Sequence, residues 1–412
     1  MHADARYRPG ACKASRPFDI NQSTTTGAGS MNSDSTSAQR GTEDGFRRPL
    51  AGVKVVEACS YISGPFCAQM LADLGADVIK VEPPTGDPYR NFGHSWEGVG
   101  TVWTNSNRGK RSVCLDLKLP DDLAKFKSLL RDADLYIENW RPHVSASLGL
   151  GFDTVSTLNP RIVQLSITGY GADGPLAAEP AFDALIQGRT GLLDYEAAGA
   201  APRATNTFLA DKVAAVFAAQ MALSGLIARD RSQQAIHLET SMLDILSYYN
   251  FPDMFHNRTF VEDNAPVTLA PQPVLATQDG YLVLSPVSGK QLSRTLDAVG
   301  HPEWKDELKA IADRKEMTHT FFRRIAEPLR HRTTSAWLAC FRELDVPAGP
   351  VNEPAAHLSD PQVLHNELFS EIETPTGKVR AIRYPARFNG HLLKPRRPAP
   401  RLGEGNDDLL RG

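Results

Sequence analysis

The residue with the clearest capacity for chemistry is Asp211, which stands at the start of a strongly helical, apolar stretch. In TFLADKVAAVFAAQMALSGLIAR, residues 207–229, apolar side chains recur at helical spacing from Val213 onward, which predicts an amphipathic or buried helix. Asp211 then lies in the cap or first turn, where free N–H groups and the helix dipole favour an ionised carboxylate. An ionised, partly solvated carboxylate is a potential nucleophile. The simpler alternative is that Asp211 only caps the helix.

A second set of polar residues follows the predicted strands of the first half of the chain. The loops GDPYR, NRGKRS and ENWRPH carry basic or amide side chains, and loops at the carboxyl ends of parallel strands form the crevice where phosphorylated ligands bind. Their grouping indicates one polyphosphate ligand with an adenine on an indole ring, and solvated surface charge is the alternative. These residues are Arg90, Arg108, Lys110, Arg111, Asn139, Trp140 and Arg141.

Other common chemistries lack their motifs. The turn CSYISGPF has one glycine where the dinucleotide fingerprint GxGxxG needs three, so NAD binding is disfavoured although Glu82 ends the second strand as a ribose-binding acid would. The sequence contains neither a GxxxxGK[ST] loop for nucleoside triphosphates nor a GxSxG nucleophile elbow. Cys12, Cys59, Cys67, Cys114 and Cys340 form no CxxC pair, which predicts neither a disulfide framework nor a zinc site.

Composition predicts an ordinary globular protein of 412 residues, with 41% hydrophobic residues, 23% charged residues and a net charge of -3. This balance gives no general attraction to nucleic acid or anionic membranes. The sequence predicts no apolar run as long as a membrane span and no secretory signal, so we expect a cytoplasmic protein.

The elements that position these residues alternate between strand and helix. Residues 1–47 are polar and are predicted to form a disordered tail. Residues 48–250 predict a doubly wound α/β domain with a parallel sheet, and residues 255–350 predict a smaller α+β domain with short strands about Asp279–Gly280. Residues 351–412 predict loops with one helix that return to the first domain.

The sequence resembles the class III CoA-transferases, the family of carnitine, formyl-CoA and bile-acid CoA-transferases. The matches cover essentially all of residues 48–412 in family order. They are LAGVKVVEACSYISGPFCAQMLADLGADVIKVEPPTGDPYR, NRGKRSVCLDLK, ENWRPHVSASLGLGFDTVSTLNPRIVQLSITGYGADGP, FDALIQGRTGL, TFLADKVAAVFAAQMALSGLIAR, ATQDGYLVL and VPAGPVN with DPQVLHN.

This resemblance implies that Asp211 is the nucleophile of an enzyme that moves CoA from an acyl-CoA thioester to a small free carboxylic acid. The implied intermediates are an aspartyl mixed anhydride and an aspartyl-CoA thioester, with no permanently bound cofactor. The implied fold is a large Rossmann-like domain built from both ends of the chain, a small middle domain and two interlocked subunits in a homodimer. The family's CoA contacts fall on Ile62, Ser63, Leu115, Asn139, Trp140, Arg141 and Asp183.

Some positions depart from the family pattern. Pro83 and Ser147 replace basic residues of the formyl-type enzymes, and DNAPVTLA lacks the glycines of a shielding loop. The family also includes α-methylacyl-CoA racemases, which need a histidine where this chain has Phe182, and a phenyl ring cannot carry a proton. A racemase or isomerase of acyl-CoA is one alternative, and a non-transferase CoA- or NAD-binding protein is another.

Substrate choice is predicted to lie in residues 255–350 and in the loop Tyr195–Phe208. Arg203 in that loop is a candidate partner for the second carboxylate of a dicarboxylic acid, and a plain surface role is the alternative.

Overall fold

The computed structural model describes residues 46–262 and 273–410. The predicted disordered tail therefore lies outside the described residues, apart from Phe46 and Arg47. Phe46 does not fit that prediction, because its ring stacks on His391 at a centroid distance of 5.0 Å and lies 6.0 Å from the ring of Phe388. The segment DNAPVTLA, residues 263–270, also lies outside the described residues.

The chain forms two compact units. The larger unit contains residues 46–262 and 361–410, and the smaller contains residues 273–360. The dividing positions near 264 and 360 fall later than the predicted limits of 255 and 350. The last helix of the first segment ends at Met254, and a short 3-10 helix, His256–Arg258, follows it after one residue, so the larger unit extends beyond residue 255.

The first segment alternates between strands and helices. Its elements are β1 (Lys54–Ala58), α1 (Ser63–Asp73), β2 (Asp77–Glu82), a 3-10 helix (Pro88–Asn91), β3 (Ser95–Trp96), β4 (Val99–Gly100), α2 (Thr101–Asn107), β5 (Arg111–Cys114), α3 (Pro120–Arg131), β6 (Leu135–Glu138), α4 (Pro142–Ser147), α5 (Phe152–Leu158), β7 (Val163–Thr168), α6 (Asp183–Arg189), α7 (Leu192–Ala197), α8 (Leu209–Ser232), β8 (Ile236–Ser241), α9 (Met242–Met254) and a 3-10 helix (His256–Arg258).

A six-stranded sheet organises the larger unit. Its order is β5-β2-β1-β6-β7-β8, and every neighbouring pair is parallel. Counted along the chain this order is 3-2-1-4-5-6, which is the order of dinucleotide-binding doubly wound folds. The predicted parallel α/β sheet is thus confirmed. The strand order reverses between β1 and β6, and in such sheets ligands bind in the crevice beyond the carboxyl ends of those two strands.

Two apolar clusters cover the opposite faces of this sheet. Val55 belongs to one cluster and Val56 to the other, because successive side chains of a strand point to opposite faces. The first cluster includes residues of α1 and α8, and the second includes residues of α3 and α5. The sheet is therefore covered by helices on both faces, as the nearly continuous apolar strands require.

Helix α8 packs against α1 and against strands β7 and β8. Gly225 permits this close approach, since a Cβ there would lie 2.7 Å from side-chain atoms of Leu238 and Val163. Among the described residues, α8 is long and apolar enough to cross a membrane by length and composition, so the expectation that no apolar run reaches that length was wrong. The alanines of α8 explain both its apolar composition and its close packing. Ala215, Ala218 and Ala222 are fully buried in the core.

The smaller unit contains three antiparallel strands and five helices within residues 273–360. Its core contains Phe321, Trp337 and Phe341 packed with residues of the strands. The predicted turn at Asp279–Gly280 joins the first two strands. The elements are β9 (Val274–Ala276), β10 (Tyr281–Leu284), α10 (Gly289–Ala298), α11 (Trp304–Lys309), α12 (Arg314–Leu329), α13 (Thr334–Glu343), β11 (Ala348–Pro350) and α14 (Pro354–Leu358).

The C-terminal segment belongs to the larger unit, where the side-chain oxygen of Asn406 accepts the Cys114 N–H at 2.8 Å. The prediction of loops with one helix was wrong for this segment. Its elements are α15 (Pro361–His365), β12 (Phe369–Thr374), β13 (Gly377–Ile382), β14 (Arg387–Phe388), β15 (His391–Leu392) and α16 (Asn406–Leu409). Strands β12 and β13 pair antiparallel, and Gly377, with a φ of 112°, supplies the left-handed residue of their turn.

The first turn of α1 tolerates no side chain at Gly64. A Cβ at Gly64 would lie 2.3 Å from Cys59 Sγ and 2.5 Å from Cys59 Cβ, which is fixed to the end of β1. Gly64→Ala should therefore lower the free energy of unfolding by about 1–3 kcal/mol in chemical denaturation, as overpacking does. Gly289→Ala is the control, since no atom lies within 4 Å of its added Cβ. Equal stability of the two variants would contradict this account of the turn.

Candidate active site

A cleft of about 730 Å³ opens at the carboxyl ends of β1, β6 and β7. Its lining includes Ser60 after β1, Asn139 after β6 and Thr168 at the end of β7. The cleft thus lies at the position where the strand order reverses. Asp211 also lines it, from the first turn of α8.

Asp211 lies in the first turn of α8, as predicted. The prediction that the helix start favours an ionised Asp211 carboxylate is wrong. Helix α8 follows Phe208 with no side-chain cap, so Asp211 does not cap it. The pKa of Asp211 is raised to about 7, first because the carboxyl is buried and second because the charge of Asp183 lies nearby. The field of the helix N-terminus does not outweigh these two effects. A sizeable fraction of the carboxyl is protonated near neutral pH.

The neighbour of Asp211 is Asp183, the first residue of α6. Asp183 Oδ1 accepts the backbone N–H of Asp211 at 3.1 Å, and the amide Nε2 of Gln187 donates to Asp183 Oδ2. Gln187 Oε1 in turn accepts the Thr205 hydroxyl at 2.9 Å. Asp183 was predicted to contact CoA. It lines the cleft, but its oxygens are already hydrogen-bonded to α6 and α8.

The turn between β1 and α1 is tied to the end of β6. Asn139 Oδ1 accepts the Ser60 N–H at 3.0 Å, while its Nδ2 donates to the Ser60 carbonyl at 2.8 Å and to Ser63 Oγ at 3.3 Å. The side chain of Asn139, a predicted CoA contact, therefore spans the two strands at the reversal point. Ser63 and Gly64 begin α1, and their N–H groups donate no hydrogen bond within the described residues.

The structure brings part of the predicted CoA-binding set together at the cleft. Trp140 is half-buried, and its backbone N–H donates to the buried Glu138 carboxylate at 2.8 Å. Arg141 is exposed. Ile62 and Leu115 do not line the cleft, because both side chains are buried in the apolar interior. The predicted residues that line the cleft are Ser63, Asn139, Trp140, Arg141 and Asp183, together with the catalytic candidate Asp211.

Lys110 was predicted to bind a phosphate, and the structure contradicts this. Its ammonium is fully buried and donates to Glu57 Oε2, the Pro65 carbonyl and Asn107 Oδ1, each at 2.7 Å. Burial lowers the pKa of Lys110 to about 8. Its donors are thus committed to the protein interior.

Arg90 and Arg111 also lie outside the cleft lining. Arg90 makes two 2.7 Å hydrogen bonds to Glu82 and lies over the ring of Trp103 at 3.8 Å. Arg111 pairs with Asp77 at the amino ends of β5 and β2, which is the sheet edge opposite the cleft. The prediction that these basic residues bind one polyphosphate together was wrong for Arg90 and Arg111. Their acidic partners, Glu82 and Asp77, come close only in the folded protein.

Glu82 cannot act as a ribose-binding acid in this arrangement. It is 1% exposed and accepts from Arg90, from Ser112 Oγ at 2.6 Å and from the Asp87 N–H at 3.0 Å. The NAD-binding alternative therefore loses the one residue that favoured it.

Four aromatic side chains form a wall of the cleft that sequence reasoning missed. This aromatic wall consists of Tyr61, Tyr89, Phe182 and Phe208. The ring of Tyr61 meets Tyr89 edge-on at 5.4 Å and Phe182 edge-on at 5.7 Å. Three of the four rings belong to residues in loops that carry no periodicity, so only their aromatic type was a signal. Phe182 stands where a racemase would need an acid or base, and its ring is 54% exposed in the cleft.

Comparisons with known proteins agree with one another. The sequence profile of CoA-transferase family III matches residues 50–406. Succinate–glutarate CoA-transferase of Agrobacterium fabrum is 31% identical, over 88% of this chain and 95% of that protein. Acetyl-CoA:oxalate CoA-transferase of Acetobacter aceti is 30% identical, over 86% of this chain and 93% of that protein. A CAIB/BAIF family protein from Brucella suis has a similar crystal structure, with a TM-score of 0.77 and 30% identity, covering 87% and 98% of the two chains.

The raised pKa of Asp211 predicts a pH-dependent stability. The unfolded chain ionises Asp211 near its ordinary pKa of about 4, whereas the folded chain keeps the proton up to about pH 7, so this group's contribution to stability falls as pH rises between them. Asp211→Asn should therefore raise the melting temperature more at pH 8 than at pH 5. An equal change at both pH values, measured by differential scanning calorimetry, would contradict the raised pKa.

Proposed function

The chain is a member of CoA-transferase family III, and on that basis we propose that Asp211 carries the acyl group during transfer of CoA from a thioester to a free acid. The observation that supports this most is the placement of one partly buried carboxylate in a cleft at the reversal point of the sheet. A carboxylate held in such a place by burial and a like charge is more basic than a solvated one, and nucleophilicity follows basicity.

The proposed reaction has four balanced steps. The Asp211 carboxylate attacks the thioester carbonyl of the donor, and CoA leaves as a thiolate, which gives a mixed anhydride. The thiolate attacks the Asp211 carbonyl carbon and releases the donor acid, leaving an aspartyl-CoA thioester. The acceptor carboxylate attacks the same carbon and displaces the thiolate. The thiolate then attacks the acceptor carbonyl and frees the Asp211 carboxylate. Each step exchanges one activated acyl group for another, so no nucleotide hydrolysis is required.

The negative charge of each tetrahedral intermediate needs hydrogen-bond donors. We assign this role to the N–H groups of Ser63 and Gly64, which make no hydrogen bond within the described residues. Pro65, the next residue, has no N–H, so these two are the available donors in the first turn of α1. The clamp from Asn139 holds this turn in place before substrate arrives, which preorganises the donors.

CoA is proposed to enter across Trp140 and Arg141. An indole offers a stacking surface for adenine, and an exposed guanidinium pairs with phosphate.

The protein is also proposed to be a homodimer of interlocked subunits, on the basis of its family. A solution mass equal to one chain would contradict this.

The acceptor is proposed to be a small dicarboxylic acid. Relatives of this chain are named for glutarate, oxalate and succinyl-CoA. Glutarate and oxalate are dicarboxylates, and succinyl-CoA is the thioester of one. Arg203 is exposed and lies two residues before Thr205, which lines the cleft. Its guanidinium is the proposed partner of the carboxylate that does not react.

Replacing Asp211 tests the nucleophile. Asp211→Asn and Asp211→Ala should lower kcat for CoA transfer by roughly 1000-fold or more, because the proposed carrier of the acyl intermediate is removed. CoA binding, measured by isothermal titration calorimetry, should remain close to that of the unmodified protein. Full turnover by Asp211→Ala would exclude the mechanism. Deuterium exchange at the α-carbon without an acceptor acid would instead indicate a racemase.

Replacing Arg203 tests the substrate class. Arg203→Gln should raise KM for dicarboxylic acceptors by about tenfold, the cost of losing one charged hydrogen bond, and leave KM for monocarboxylic acids unchanged. Arg231→Gln, at the exposed far end of α8, is the matched control. The acceptors are best compared by mass spectrometry of the acyl-CoA products from a panel of acids. Equal effects of Arg203→Gln on both acid classes would contradict this assignment.

A further inference from the structure

One buried carboxylate outside the cleft lining orients the backbone of two residues of the aromatic wall. Asp87 follows β2 and is 2% exposed. Its Oδ1 accepts the backbone N–H of Tyr61 at 3.3 Å and that of Tyr89 at 2.9 Å. The rings of both tyrosines line the cleft. A single oxygen atom thus fixes the chain beneath two neighbouring side chains of the site.

Tyr61 adopts a backbone conformation that requires such a restraint. Its φ is 69°, in the left-handed region that a residue with a Cβ rarely enters. Residues in such conformations persist where the surrounding structure over-determines them, and they concentrate at functional sites. Asn139 holds Ser60 on one side of Tyr61 and Ser63 on the other. The bond from Tyr61 to Asp87 adds a restraint at Tyr61 itself.

Lys80 holds Asp87 from the protein interior. Its ammonium lies 3.1 Å from Asp87 Oδ2 as an ion pair without hydrogen-bond geometry. The same ammonium donates to Glu57 Oε1 at 2.8 Å and to the Cys59 carbonyl at 2.7 Å. Cys59 directly follows β1, so one buried cation fixes both the strand end from which the turn leaves and the carboxylate that receives it. The side chains of Lys80 and Glu57 are fully buried, and that of Asp87 is 1% exposed.

The path from Asp87 to the nucleophile is short. The Tyr61 ring meets Phe182 edge-on at 5.7 Å, and Phe182 directly precedes Asp183, whose carboxylate accepts the Asp211 N–H at 3.1 Å. The turn that contains Tyr61 also leads into Ser63 and Gly64. A change in the Tyr61 backbone would therefore move the proposed oxyanion donors and the aromatic wall relative to Asp211.

We propose that Asp87, backed by Lys80, is a positioning residue for the transfer reaction. It holds Tyr61 in the left-handed conformation and so sets the distance between the turn at residues 60–64 and the Asp183–Asp211 pair. This inference rests on the proposed function for its kinetic consequence, but its structural consequence is independent of what the enzyme turns over.

Two variants of the full-length protein separate the two contacts of Asp87. Asp87→Asn keeps an oxygen that can accept both N–H groups but loses the charge opposite Lys80, whereas Asp87→Ala loses both. We expect kcat to fall about 10-fold in Asp87→Asn and about 100-fold in Asp87→Ala, because small misplacements of reacting groups have effects of this size. The Kd for CoA should stay within about threefold of the unmodified protein, since no CoA contact is removed.

Asp73→Asn is the matched control for the loss of a buried ion pair. Asp73 ends α1, at the opposite end of that helix from the turn, and pairs with Arg108 at 2.5 Å in a buried setting. Asp73→Asn should lower the melting temperature as the Asp87 variants do, while kcat stays within about twofold of the unmodified protein. A parallel loss of kcat in Asp73→Asn would mean that activity follows stability alone, which would overturn the positioning role.

A crystal structure of Asp87→Ala decides the structural part. We expect Tyr61 to relax to a negative φ, and a positive φ in this variant overturns the proposal. A kcat of Asp87→Ala within about twofold of the unmodified protein also overturns it. If Asp87→Ala does not fold, the kcat of Asp87→Asn is the readout, and a value within about twofold of the unmodified protein overturns the proposal. If the unmodified protein transfers no CoA, the proposed function fails, and the conformation of Tyr61 still tests the role of Asp87.

Discussion

The hydrogen bond from the Asp211 N–H to the Asp183 carboxylate is the constraint around which the site is built. It joins the first turn of α8 to the start of α6 and places two carboxyl groups side by side in a partly buried cleft. A helix start ordinarily stabilises a negative charge. In α8, however, the N–H of Asp211 donates to the carboxylate of Asp183. Burial and the charge of Asp183 then raise the pKa of Asp211 to about 7, which makes its carboxylate a stronger base than a solvated aspartate.

The sheet supplies the place for this pair, and a second set of contacts supplies its surroundings. The crevice lies where the strand order reverses, between β1 and β6. Asn139, at the end of β6, is hydrogen-bonded to Ser60 in the turn after β1. The buried charges of Lys80 and Glu57 lie beneath that turn. These groups are too deeply buried to bind substrate, so their contribution is to hold the backbone in one arrangement.

Much of the fold and the position of Asp211 in the first turn of α8 could be predicted from local patterns. Apolar periodicity in α8 and the alternation of strands and helices in residues 48–250 both indicate structure over short distances in sequence. The raised pKa of Asp211 could not be predicted, because its main cause, burial of the carboxyl, and its second cause, the charge of Asp183, both arise from tertiary packing such as that of α6 on α8. The burial of Lys110 was hidden for the same reason, since its partner Glu57 lies on another strand. The many Pro and Gly residues of residues 351–412 favour loops, and this composition does not reveal the antiparallel pairing within residues 369–382.

The central claim is that Asp211 exchanges an oxygen atom with the acceptor acid in each catalytic cycle, and isotope labelling measures this directly. Trypsin cleavage after Arg203 and Lys212 releases ATNTFLADK, in which Asp211 is the only side-chain carboxyl. The protein is incubated with an acyl-CoA donor and an acceptor acid labelled with heavy oxygen in its carboxylates, and the peptide is then weighed by mass spectrometry. We expect each catalytic cycle to place one heavy oxygen on Asp211, so that the peptide gains one and, over repeated cycles, two heavy oxygens, and we expect this gain to require both substrates. Efficient CoA transfer with no heavy oxygen in this peptide would contradict it.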